Sequence, residues 1–523
     1  MESIKKNNFF WFYGFLFIIL NLFVIFNFGF YNDDWGFFET NGLSKAEHAL
    51  SKLTIEISVK RHINYPIYVL MAYIGDSPKL LYCTTFVISF LIIYYKFKIN
   101  KKFLLKFKKD LSVDHYLILI ILIWYFLPFN FGGQFWLTGI HIEISYLLFL
   151  IHLHFLIQNK ILKSIFFLFL SFNSYENLYF IYLPFVSIFF IHDLINKTTF
   201  KRYLFSSLII QIFFLLYKKR EMHNIDYLDV IIKTIENLLR FFYSIYTSSL
   251  YYLGSYLIIL VLPILLICFY NIYKNKVLGG LKFSISFIIL LLTIPLNSLV
   301  LTIGTYGYTG NGIFSRTMFG PSISIFFIFL LLYSSNKKTF YSLCFILLFT
   351  IMGFVNESLN WIGSKKIQDK IVNEIVNDKV FDKIDSNKNL VLFHGPCFVN
   401  GVEIFNASWD LGRYLNKMDL KYSDSTFIPI QNWDIYASDI DPWEKKQDGK
   451  IFIHSHTYIY ELVDFKKLLI LNYYDKSINE IDLSLNKINE INNQIRYLED
   501  RKDCHIGTNY VKIAKRIKEQ LFN

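Results

Sequence analysis

Two neighbouring carboxylates, Asp33 and Asp34, stand in the stretch FGFYNDDWGFFE, directly after an apolar run of membrane length. Acids held this close do not easily both ionise, and partial burial raises at least one of their pKa values. That suits a general base, which must take a proton near neutral pH. The pair's hard oxygens match a divalent cation equally well, and a solvated helix cap is a third reading. Beside them Trp35, Phe37 and Phe38 fit an interfacial aromatic belt.

Four further stretches carry residues of comparable interest. SVKRHINYPIYVL holds Arg61 and His62; an arginine there either forks onto a phosphate or snorkels to lipid headgroups. GQFWLTGIHIE holds Trp136, His141 and Glu143, and SFNSYENLYF holds Tyr175 and Glu176. A carboxylate so close to hydrocarbon needs a partner or a water-filled cavity. TYGYTGNGIFSRTMFGP offers Arg316 and glycines that let backbone approach a ligand closely, or a glycine-rich re-entrant turn with a snorkelling arginine. Acids that activate a hydroxyl and arginines that stabilise a departing phosphate are the two halves of transfer from a phosphate-linked donor.

The elements that must position these residues are membrane helices. The 523-residue chain is 54% hydrophobic, 19% aromatic and only 18% charged, which excludes an ordinary soluble protein. Its apolar runs have the length that crosses about 30 Å of hydrocarbon as helix. The sequence predicts about eleven spans: 9–30, 79–95, 114–130, 140–158, 161–177, 178–195, 203–217, 255–273, 283–303, 320–335 and 339–355. The first has a basic leader, Lys5 and Lys6, but is too long for a signal-peptide core and lacks a small-residue cleavage site. With the N-terminus in the cytoplasm, the even-numbered connections carry the lysines, above all Lys96 to Lys109, as the positive-inside rule requires. Asp33, Asp34, Arg61, His62, Trp136, Glu176 and Arg316 then share the outer face. The net charge of +12 comes with no recognition motif, so nucleic acid is excluded as a partner.

From about Ser364 the composition turns charged and mixed. The chain is read as a transmembrane domain, 1–355, and an extracytoplasmic soluble α/β domain, 356–523. NLVLFHG, KIFIHSHTYIY and KLLILNYYD have the character of strands. INEIDLSLNKINEINNQIRYLED carries Ile478, Ile481, Leu485, Ile488 and Ile495 at three-four spacing, predicting an amphipathic helix. Cys397 and Cys504 in this tail are free to pair if it is exported.

The membrane part resembles the GT-C superfamily of integral-membrane glycosyltransferases. The carriers of the likeness are Asp33-Asp34 after the first span, Arg61 and Pro66 before the second (separated here, adjacent in many bacterial members), FWLTG before the fourth, SYE in a later span, and Arg316 in a late outer loop. FWLTG and SYE are similar to the bacterial glucosyltransferase-like branch. The resemblance implies that a sugar moves from a polyprenyl-phosphate donor to a glycan, lipid or protein acceptor of the envelope, outside a bacterial inner or plasma membrane. It implies Asp33 or Asp34 as base, with Asp33 the usual choice, and Arg61 and Arg316 on the donor phosphate. Trp35, His62, Trp136, Tyr175 and Glu176 become sugar or acceptor contacts. Metal dependence varies within the superfamily, so Asp33 and Asp34 are read as a base pair or as ligands of a divalent cation. The competing classes are another envelope-polysaccharide enzyme, a polymerase or ligase, and a polytopic transporter or flippase.

Overall fold

The structure is a computed structural model. It describes residues 2–31, 34, 44, 46–50, 64–74, 77–107, 113–127, 137–175, 182–217, 230–239, 241–242, 280–303, 319–331, 337–378, 384, 389–396, 398–399, 402–405, 410–419, 422, 425–429, 452–455, 458–461 and 466–481. The chain divides into two compact units. One comprises Met1–Asn27, Leu50–Leu70 and Lys79–Leu359; the other comprises Phe28–Ala49, Met71–Pro78 and Asn360–Asn523.

The first unit is helical: α1 (Glu2–Asn27), the start of α2 (Tyr65–Ile74), nearly all of α3 (Pro78–Phe107), α4 (Val113–Tyr125), α5 (Ile140–Ile157), α6 (Ile161–Ser174), α7 (Tyr182–Ile191), α8 (Lys197–Tyr217), α9 (Gly280–Ile303), α10 (Phe319–Leu331) and the start of α11 (Lys337–Asn377). Among the described residues three helical stretches, Pro78–Leu105, Ile140–Ile157 and Leu343–Asn377, are long and apolar enough to cross a membrane. Shorter apolar helices include Trp11–Asn27, Asp114–Tyr125, Ile161–Ser174, Tyr182–Ile191 and Ser284–Leu299. The expected span 255–273 lies outside the described residues.

The α5–α6 hairpin is the best-defined packing in this unit. Asn159, at φ 60°, takes the left-handed position that ends α5, and the Asn159 and Lys160 amides return to the Leu156 and Phe155 carbonyls. Small residues then let the helices approach closely. Ser145 donates to the Ser171 carbonyl at 2.9 Å, and Ser171 donates to the Ser145 carbonyl at 2.8 Å. Further along, His152 pairs with the Ser164 hydroxyl at 2.8 Å and the Tyr203 hydroxyl at 3.0 Å, which makes it a fully bonded core residue.

One expectation is corrected here. The lysine-rich segment predicted as a loop after residue 95 continues as helix to Phe107, and Lys96 is completely buried. The reason is its place in a stripe, Ile92, Lys96, Ile99 and Phe103, each buried and spaced by threes and fours. Lys101, further along the helix, is half-buried and bridges to Asp114 at the start of α4, 2.9 Å away.

The second unit holds a four-stranded sheet in the order β4-β1-β7-β8: β4 (Thr426–Pro429), β1 (Asn389–His394), β7 (Lys467–Asn472) and β8 (Ser477–Ile481). β1 runs parallel to both β4 and β7, and all six of its residues are buried, as a central parallel strand requires. α12 (Asp410–Met418) supplies the crossover between β1 and β4. Two short hairpins complete the strands: β2 (Phe398–Val399) with β3 (Val402–Glu403), and β5 (Phe452–Ser455) with β6 (Tyr458–Glu461). NLVLFHG and KLLILNYYD contain the predicted strands, β1 and β7, whereas KIFIHSHTYIY contains two, β5 and β6. The predicted tail helix is not helical at its start: Ile478 and Ile481 belong to β8, which pairs antiparallel with β7 after a turn closed by Lys476 at φ 50°. Sheet pairing overrides the three-four spacing there, and residues 482–523 lie outside the described set.

Candidate functional site

Asp34 and Tyr175 are the predicted site residues that the structure describes. Asp33, Trp35, Arg61, His62, Trp136, Glu176 and Arg316 lie outside the described residues.

Asp34 belongs to the second unit and is wholly buried. Its amide donates to the Tyr31 carbonyl at 3.0 Å, and its Oδ2 accepts the Tyr31 amide at 3.1 Å. The carboxylate thus closes the turn that leaves α1, a local structural role in addition to any chemical one. Tyr31, also buried, donates its hydroxyl to the Trp361 carbonyl at 2.9 Å and meets the Trp361 ring edge-on. Burial holds this phenol well above its ordinary pKa; a backbone bond at Gly29 opposes that, and the Asp34 and Asp369 carboxylates reinforce it. Tyr31 is therefore a neutral donor at any physiological pH. Nearby in the same unit, Lys365 pairs with Asp369 and Tyr414, and its stem lies so close to Gly29 that a Cβ there would collide with it.

In the first unit the structure joins three of the sequence stretches singled out above. The Ser174 hydroxyl donates to Asn64 Oδ1 at 2.7 Å and lies 3.0 Å from the His141 carbonyl oxygen. Asn64 Nδ2 donates back to the Ser174 carbonyl at 3.2 Å. The His141 and Tyr175 rings meet edge to face with centroids 4.8 Å apart. Asn64, three residues after Arg61, therefore shares one polar knot with the ends of GIHIE and NSYE. All three of Asn64, Ser174 and His141 are buried, while Tyr175 is partly open. Sequence reasoning singled out His141 and Tyr175 and passed over Asn64 and Ser174, whose only signal was their position inside those motifs.

Elsewhere in the same unit, Lys96, expected in a cytoplasmic loop, is enclosed by aromatic rings. Its Nζ sits 3.0 Å from the Trp124 ring centroid and 3.6 Å from that of Phe326, with Tyr146 at 5.4 Å. Among the described residues it has no hydrogen-bond acceptor, and Glu143 Oε1 has no donor. Each desolvated ring contact contributes about 2 kcal/mol, whereas burying an ammonium costs several kcal/mol. Glu143, one turn before Tyr146 on α5, is the buried acid in the same surroundings. The signal available in the sequence was the three-four stripe from Ile92 to Phe103 with a lysine inside it.

No group of three His, Cys, Asp or Glu side chains among the described residues is placed to hold a metal ion. Comparison with family models, curated proteins and solved structures finds no match for this chain.

Proposed function

We propose that the chain is a polytopic membrane glycosyltransferase that moves a sugar from a polyprenyl-phosphate donor to an envelope glycan, lipid or protein acceptor. The reading includes about eleven spans, a cytoplasmic N-terminus, and a C-terminal domain outside the membrane. Asp33 or Asp34 takes the proton of the acceptor hydroxyl. The freed oxygen attacks the anomeric carbon, the carbon–oxygen bond to phosphate breaks, and Arg61 and Arg316 hold the departing polyprenyl phosphate. Trp35, His62, Trp136, Tyr175 and Glu176 bind sugar or acceptor.

The observation that supports this reading is the knot of Asn64, His141, Ser174 and Tyr175, because these four residues come from three of the sequence stretches singled out for chemistry. Mass spectrometry of envelope glycans from a deletion strain and its complemented counterpart tests it. Loss of a glycosyl residue on deletion, restored by complementation, supports the reading; identical spectra overturn it.

One observation favours a second reading, a transporter or flippase: Lys96 and Glu143 are buried inside helices of membrane length, where that class keeps its charges. Asp33→Asn with intact membrane insertion separates the two, since it stops sugar transfer under the first reading and leaves glycans unchanged under the second.

A further inference from the structure

Within the second unit, four residues in a row ahead of the acid pair, Phe28 to Tyr31, each meet a side chain from the C-terminal part of the chain. Phe28 stacks on the Trp361 ring, with centroids 6.3 Å apart and planes 9° from parallel. Gly29 faces Lys365, on whose stem a Cβ would press. Phe30 lies under the Lys417 ammonium at 5.7 Å. Tyr31 donates its hydroxyl to the Trp361 carbonyl at 2.9 Å and sets its ring edge-on to the Trp361 ring, 4.7 Å between centroids. Phe28, Phe30, Tyr31, Asp34 and Trp361 are all buried.

The residues that hold this segment are themselves built into the α/β fold. Trp361 and Lys365 lie one turn apart on α11, and Tyr414 and Lys417 lie on α12. Lys365 joins the two helices by bonding Asp369 on its own helix and Tyr414 on α12. α11 is fastened further by Gln368, whose amide donates to the Ile404 carbonyl, and by the Tyr422 hydroxyl, which donates to the Ile375 carbonyl at 3.3 Å. α12 rests on β4 where Gly412 faces the Phe427 ring. Contacts thus run from the sheet through α12 and α11 to Phe28–Tyr31, and the main chain of Tyr31 passes them to Asp34 through two hydrogen bonds.

We propose that the C-terminal domain is a working part of the transfer site, with Tyr31 and Trp361 as positioning residues for Asp34. The inference rests on the glycosyltransferase reading for what Asp34 does, and on these contacts for how it is held. The Asp34 carboxylate accepts from the Tyr31 amide, so its direction follows where Tyr31 stands, and Trp361 fixes Tyr31. A base must come within about 2.6–3.2 Å of the group it deprotonates. Misplacement by about 1 Å costs about a hundredfold in rate. Anchorage at four consecutive residues supplies that precision.

The full-length protein in lipid nanodiscs is treated with a carbodiimide and glycine ethyl ester, and peptide mass spectrometry reads the modification of each carboxylate. In parallel, each variant is induced in the deletion strain and the rate at which the glycosyl residue returns to the envelope is followed. Tyr31→Phe cuts the hydroxyl bond to Trp361 alone. It is expected to raise Asp34 modification about fivefold, the opening brought by loss of one buried hydrogen bond, with Asp114 and Glu480 unchanged. Trp361→Ala is expected to raise it further, and Trp361→Phe, which keeps a ring for Phe28 and Tyr31, to return it toward wild type. The glycosyl rate is expected to fall and recover in the same order. Asp34 modification unchanged by Tyr31→Phe and Trp361→Ala overturns the proposal, and so does raised modification at full glycosyl rate. If the wild-type gene itself restores no glycosyl residue, the glycosyltransferase reading fails and Asp34 modification alone decides whether the domain holds the acid. If Trp361→Ala does not insert, Tyr31→Phe decides.

Discussion

Ser174 and Asn64, 110 residues apart in sequence, are bound to each other twice: hydroxyl to side-chain carbonyl at 2.7 Å, and side-chain amide to main-chain carbonyl at 3.2 Å. A polar pair this well buried is costly to break from one side only.

Ser174→Ala leaves Asn64 Oδ1 without its donor, and the expected loss is about 1–3 kcal/mol of stability. Combining it with Asn64→Leu removes both partners, so the double variant is expected to lose less than the sum of the single losses. Denaturation of the four proteins in matched detergent measures the coupling; strict additivity would contradict the pairing.

At Asp34, asparagine keeps an oxygen that accepts the Tyr31 amide, so Asp34→Asn is expected to fold normally and Asp34→Ala to lose about 1 kcal/mol. Under the glycosyltransferase reading both variants lose sugar transfer. Full transfer by Asp34→Asn, together with full transfer by Asp33→Asn, would remove the acid pair from the mechanism.

Glu143→Leu strands the Lys96 charge in its aromatic surroundings and is expected to cost about 3–5 kcal/mol. Adding Lys96→Met replaces both ions with apolar volume and is expected to recover most of that loss. Thermal melting in nanodiscs compares the two proteins, and a double variant no more stable than Glu143→Leu would deny the electrostatic link.

In the second unit, burial and then the neighbouring Glu374 carboxylate push the Tyr473 hydroxyl up from 10.0 to about 12. Below pH 10 folded and unfolded chains both keep this proton, and the contribution is constant. Between pH 10 and 12 the unfolded chain gives it up first, so stability falls as pH rises. Tyr473→Phe is expected to flatten that part of the curve, measured as melting temperature of the full chain against pH; an unaltered slope would rule the contribution out.

How much of this was legible in the sequence depended on the kind of signal. Apolar runs announced the helices, and short β-rich runs announced β1 and β7, because burial sets both patterns directly. Lys96 was misread because charge was given priority over spacing; the stripe from Ile92 to Phe103 already put the lysine on the buried face. Ile478 and Ile481 were misread for the opposite reason, since spacing compatible with a helix lost to pairing with Leu471 and Leu468 across a tight turn. The Ser174–Asn64 contact was invisible, because two ordinary polar residues far apart carry no local mark of their partnership. A genuine local mark was overlooked at Ser44 and Glu47, where serine and glutamate three apart bind each other's backbone amides as a reciprocal cap.

Gly29 and Lys365 share a single parcel of space. A Cβ at the first position would press on the outer carbons of the lysine stem, whose ammonium is bonded to Asp369 and Tyr414. Mutational drift at one therefore presses on the other: bulk at 29 displaces the lysine stem, and a shorter residue at 365 makes room for it.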